Sequence, residues 1–152
     1  MSMKKNIEYI QFLKEDLKDL ASLNKNLERS YRLCTKIGIK DKYNDEEFDI
    51  FENLATRFSQ VLNFILNRIF RDIDKIELEN EGLLLEILER ACKRGIIEEI
   101  DEVKDMKILN DELSQEYLIK NLETLYKEAL IYTPKLLDYT AIIKNYCKVK
   151  KY

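Results

Sequence analysis

Three glycines and one proline in 152 residues leave this chain few places to turn sharply. Sandwiches and propellers need turn residues at short, regular intervals, so those folds are excluded and long helices remain. The apolar spacing agrees. From Ile7 the hydrophobic positions fall at Ile10, Leu13, Leu17, Leu20, then Leu23 or Leu27, Tyr31 and Cys34. Steps of three and four mark one face of a helix, which predicts a first helix over roughly 4 to 37, ending near Gly38 as a left-handed cap.

The segment Ile39 to Asp45 is the one convincing loop, and Asn44 with Glu47 three residues on has the form of a capping box opening helix two. That helix carries Phe48, Phe51, Leu54, Phe58, Val61, Leu62, Ile65, Leu66, Ile69 and Ile73, a stripe wide enough for the centre of a bundle. A third helix is expected over about 81 to 93, with Lys93, Arg94 and Gly95 as stop signals. Helix four is expected to follow at once, through Ile97, Ile100, Val103, Met106, Leu109 and Leu113. Leu118, Leu122, Leu125, Tyr126 and Leu130 begin the last helix, which Thr133 and Pro134 should kink or restart. With 45% hydrophobic residues and no linker, repeat or low-complexity stretch, residues 1–152 read as one all-α domain, an up-and-down bundle of four to five helices.

Charge and residue types narrow the chemistry. The formal net charge is -3, with both signs interspersed, so the whole molecule is no magnet for polyanions; Lys144, Lys148, Lys150 and Lys151 read as a solvated face. The chain has no histidine, which removes Ser-His-Asp and Cys-His nucleophiles, His-ligated zinc and imidazole acid-base chemistry. Cys34, Cys92 and Cys147 lie far apart in apolar runs, as reduced, buried thiols do, and Cys92 beside Lys93 and Arg94 is the least remote candidate for a reactive one. The charged N-terminal stretch has no signal-peptide core, and no run reaches the ~20 apolar residues of a membrane span, so a cytoplasmic protein is expected. Glu98, Glu99, Asp101, Glu102 and Asp105 crowd the start of helix four. A hard cation would suit them, but acids at a helix N-terminus answer its dipole, and neither a metal nor another cofactor is expected.

The informative segment is Asn110-Asp111-Glu112-Leu113-Ser114-Gln115-Glu116-Tyr117, between helix four and the last helix. It resembles the signature of the HEPN superfamily, small helical bundles whose site is an Arg, a polar residue, two spacers, a small residue, a His, any residue and a Tyr. Asp111 matches the polar position, Leu113 the aliphatic spacer, Ser114 the small residue and Tyr117 the tyrosine. Asn110 stands where the family has its Arg, and Gln115 where it has its His. The long first helix, the run Leu54-Ala55-Thr56-Arg57-Phe58 and the proline-containing last helix extend the likeness along most of the chain.

The resemblance implies a homodimer and a partner, a minimal nucleotidyltransferase, arranged as toxin with antitoxin or as a substrate-binding subunit. In family ribonucleases the Arg holds phosphate and the His moves protons. The Asn110 amide has no charge, and the Gln115 amide does not titrate near neutrality, so ribonuclease activity of the family type is not expected. In toxin members the tyrosine accepts AMP, and Tyr117 is either such an acceptor or a residue packed at the helix junction. The expected function is a non-catalytic binding module built on Asp111, Ser114, Tyr117 and Arg57, with an RNA or nucleotide as a further candidate ligand. The enzyme alternative is a divergent ribonuclease in which Arg57, Arg68 or Arg71 replaces the lost cation and Tyr117 or a carboxylate replaces the His. A plain helical scaffold is the third class.

Overall fold

The computed structural model describes residues 3–77, 79 and 82–152. The regular structure among them is helical: α1 Met3–Ile37, α2 Asp45–Phe64, α3 Phe70–Ile76, α4 Leu84–Lys93, α5 Ile100–Gln115 and α6 Ile119–Val149. A π turn over Ile65–Ile69 joins α2 to α3 in one rod. None of the described helices is long and apolar enough to cross a membrane.

α1 buries Leu13, Leu20, Leu27 and Cys34, a seven-residue spacing that keeps one narrow seam toward the rod of α2 and α3. The two run antiparallel, since Cys34 Sγ reaches the Ile50 carbonyl and Arg57 reaches Ser30. α6 lies parallel to α2, with Phe48 against Tyr126 near one end and Tyr146 bonded to Glu77 near the other. α5 runs antiparallel to α6 through the Tyr139 hydroxyl and Glu102. Four long rods therefore alternate up and down, and the short α4 braces one end.

The loop ends are fixed locally. Glu47 N donates to Asn44 Oδ1 at 2.8 Å while Asn44 N donates to Glu47 Oε1 at 3.1 Å, closing the capping box. Gly38 ends α1 at φ +79°, where a side chain would be strained, and its N–H satisfies the Cys34 carbonyl. The π turn has a cause in spacing. Apolar pairs recur every four residues at Val61-Leu62, Ile65-Leu66 and Ile69-Phe70, and a four-residue repeat rotates steadily away from an α-helix of 3.6 residues per turn. Closing one turn a residue later, with Phe70 N donating to the Ile65 carbonyl, returns all of them to the core.

Four expectations are corrected. Position 81, the expected start of the third helix, lies outside the described residues, and the helix begins at Leu84. Helix four does not follow at once. Residues 94–99 form a link held by the buried Ile96 and Ile97, which anchor it as apolar side chains without a helix. Pro134 does not restart the last helix: α6 runs through it unbroken, with the proline on the exposed side. Leu118, placed on the inward stripe, is 66% exposed, because α6 starts one residue later and its first turn faces solvent.

Candidate functional site

Residues 110–117 close α5 and turn the chain into α6. α5 holds its place by burying Val103, Met106 and Leu109, and the next residue on that face is Asn110, 9% exposed. A buried amide needs a partner, and Asn110 Nδ2 donates to Asn63 Oδ1 on α2 at 3.3 Å. Beside this pair α2 and α5 leave a groove of about 420 Å³, flanked by Glu52, Ser59 and Gln60 on α2 and by Leu113 and Ser114 on α5, with Tyr126 of α6 at its edge. Ser114 Oγ donates to the Asp111 carbonyl at 2.8 Å, and Asp111 faces solvent, paired with Lys107 at 3.0 Å.

Gln115 turns away from that groove. It lines a second depression of about 520 Å³, shared with Glu112, Glu116, Asn121 and Glu128. Here α5 ends, and Glu116 takes an extended conformation as its carboxylate folds back on the next turn. Glu116 Oε1 accepts the N–H groups of Leu118 at 3.0 Å and Tyr117 at 3.2 Å. These bonds, with one from the Asn121 side chain, hold its carboxyl below the usual range. With the backbone donors of Tyr117 and Leu118 tied inward, the side chains go outward. Tyr117, Leu118 and Ile119 are 87, 66 and 62% exposed, three consecutive apolar groups on one corner.

The arginines lie elsewhere. Arg57 Nη1 donates to Ser30 Oγ at 2.7 Å and to the Asn26 carbonyl at 3.4 Å, so it fastens α2 to α1. Arg57, expected among the binding residues, thus falls on the α1 side of the helix that bears Asn63. Arg68 stacks over Phe64, and with Arg71 it borders a depression shared with Phe12 and Asp16 of α1. Among the described residues, no guanidinium lines the groove beside Asn110 or the depression beside Gln115.

Two of the acids at the start of α5 have side-chain partners. The Tyr139 hydroxyl donates to Glu102 at 2.5 Å and Lys135 pairs with Glu98 at 3.5 Å; no group of three or more Cys, Asp or Glu among the described residues is placed to hold a metal ion. The densest ionic network lies at the other end of the rods. Asp74, 2% exposed, pairs with Arg90 at 2.8 Å and Arg94 at 2.7 Å. Arg94 also reaches Glu77 at 2.9 Å, which accepts the hydroxyls of Tyr146 and Tyr152 at 2.6 and 2.7 Å. Burial pushes the Glu77 carboxyl up, but these three donors outweigh it and hold the group below its usual range. The network joins α3, α4 and α6, and Asp74, Glu77, Arg90 and Arg94 are each held in an ion pair.

Sequence reasoning missed three residues of the corner: Glu116 as its fastener, and Leu118 and Ile119 as its exposed face. The signal was present, since three consecutive apolar residues cannot all lie on one helical stripe. The chain matches no family model, no curated protein and no solved structure.

Proposed function

We propose that this chain is a non-catalytic, HEPN-like binding subunit, the partner or substrate-binding subunit of a minimal nucleotidyltransferase of toxin–antitoxin type, and that it docks through the corner between α5 and α6. The observation that carries this reading is the exposed Tyr117-Leu118-Ile119 face on a turn fastened by Glu116. A tyrosine beside aliphatic side chains gives up much apolar surface when a partner covers it, and tyrosine is among the residues that dominate interface energetics. Glu112, Glu116 and Glu128 lie beside it, so the fitting partner has an apolar pocket with a basic rim. RNA phosphate would meet carboxylates at this corner, which favours a protein partner over RNA. The homodimer implied by the resemblance belongs to the same proposal and is tested by sedimentation of the pure protein.

The ribonuclease alternative has less to draw on. Arg57, Arg68 and Arg71 face α1, and the groove residues Asn110, Ser114 and Asn63 do not exchange protons near neutral pH. The exposure of Tyr117 does favour AMP transfer by the partner. Its phenol oxygen would attack the α-phosphorus of ATP, forming the ester bond as pyrophosphate leaves and a base on the partner takes the proton.

The test is titration of the partner nucleotidyltransferase with the chain and with its Tyr117→Ser, Leu118→Ser, Ile119→Ser triple variant, whose changes are all at exposed positions. A loss of affinity of about tenfold or more is expected. Unchanged affinity, or RNA cleavage by the pure chain, overturns the reading. Intact mass after incubation with partner and MgATP, beside Tyr117→Phe, tests the AMP transfer.

A further inference from the structure

α1 and α6 touch where Thr140 meets Asn24, their side-chain oxygens 2.9 Å apart, and beside that contact the two helices leave a trough of about 520 Å³. Its walls are aliphatic. Leu17 and Leu137 give it depth, while Ala21 and Ala141 leave shelves on opposite sides where another backbone has room to approach. Lys18, Lys25 and Lys144 stand around it, and none of the three forms an ion pair among the described residues. The trough's one carboxylate, Glu28, accepts from Asn24 Nδ2 at 3.3 Å. In a chain of net charge -3, an apolar trough therefore carries a locally positive rim.

The dimensions and the floor choose the occupant. From Lys18 to Glu28 the trough follows about 15 Å of α1, which matches about three turns of an added helix with four inward side chains at i, i+3, i+4 and i+7. Asn24 gives one amide hydrogen to Glu28 and has a second to give. An acyl chain would strand that donor in apolar surroundings, whereas a helix meets it with one acceptor side chain. A second copy of this chain is a poor source, since its acidic helices already bury their apolar faces, Phe51, Leu54 and Phe58 in α2 and Val103, Met106 and Leu109 in α5.

We infer that the trough between α1 and α6 docks an amphipathic helix of a partner protein, apolar on its inner face except for one acceptor side chain, and acidic along both flanks. The inference uses none of residues 110–119, so its outcome is independent of the reading given to that corner.

The test uses the full chain and fluorescein-labelled helical peptides of about three turns. One has leucines at the inward positions, a central glutamine and glutamates on the flanks; its twin has lysines on the flanks. Fluorescence anisotropy at low salt is expected to show the acidic peptide binding about tenfold more tightly than the basic one, with the gap shrinking as salt is added. A Lys18→Glu, Lys25→Glu, Lys144→Glu variant should reverse the preference, a gain that misfolding cannot produce. Ala141→Arg should abolish binding of both. Equal affinity for the two peptides, no binding, or a preference that survives the charge reversal overturns the inference. Loss of a dimer in sedimentation on Ala141→Arg overturns it in favour of a second copy, and displacement of the peptide by dodecanoate at equal concentration overturns it in favour of an anionic lipid.

Discussion

Replacing Asp72 with asparagine should stabilise the protein at pH 8 and leave it almost unchanged at pH 4. Asp72 on α3 meets Asp16 on α1, and its Oδ2 is buried with no donor while both carboxyls are ionised. Desolvation first, then the hydrogen bond to Asp16 and repulsion from its charge, push the Asp72 carboxyl from 3.8 up to about 8, with Lys75 and Arg68 pulling back only in part. The folded state thus keeps a proton that the unfolded chain releases near pH 4. Stability contributed by this group is complete below that point, falls as pH rises, and is lost once pH passes the folded value near 8. A carboxyl carried that far represents at most about 6 kcal/mol, but it is only half-buried, and solvent screening brings the loss to about 2 kcal/mol. In a chain of this size that is about 4–8 °C in Tm. The Asp72→Asn side chain has the same shape and donates its amide hydrogen to Asp16 at every pH. The measurement is thermal unfolding of both proteins from pH 4 to 9. A difference that stays flat with pH, or an Asp72 carbon resonance that titrates as an ordinary carboxylate, refutes the reasoning.

Arg94→Ala leaves Glu77 without its cation and Asp74 with only Arg90, and should lower stability by about 2–4 kcal/mol in urea unfolding, with little recovery in Arg94→Lys because an ammonium cannot span both carboxylates. Burial pushes the Cys34 thiol up to about 12 and the Cys147 thiol up to about 11, so iodoacetamide at pH 8 should label Cys92 ahead of both, and peptide mass spectrometry of the native protein checks it. Asn44→Ala opens the capping box and should cost about 1 kcal/mol, read as a shift in denaturation midpoint at constant slope.

What was legible in the sequence was what a single helix decides alone. The seam of α1, the Asn44 and Glu47 box, the Gly38 stop and the burial of Cys34 and Cys147 each follow from neighbours within a turn or two, whereas Cys92, expected buried with them, is only half-buried. What was not legible depends on which neighbour a face meets. Arg57 reads as a cation available to the motif, yet Ser30, twenty-seven positions away, decides its direction. Ile96 and Ile97 fit a helical stripe as well as they fit a buried link, and only packing separates the two. The resemblance in residues 110–117 likewise named residue types without their exposure. Asn110 and Tyr117 are seven apart and would share a face if α5 ran on, but α5 stops at Gln115, and Glu116 turns the tyrosine out.

That stop limits what placing the Arg and His of the HEPN signature here would do. Asn110 borders the groove with α2, whereas Gln115, five positions on, lies on the other side of α5 above the depression toward α6. An Asn110→Arg, Gln115→His variant would place a guanidinium and an imidazole around different faces of one helix, so a single copy could not hold one phosphate between them. A shared site then needs a second molecule, and RNA cleavage by the variant is expected to depend on protein concentration, with the rate per molecule falling on dilution as paired chains separate. Dilution series with the same RNA, alongside sedimentation over the same range, compare the two curves. A rate per molecule that stays constant where the chains are monomeric would mean that Arg and His meet within one copy, and that the faces assigned to α5 are wrong.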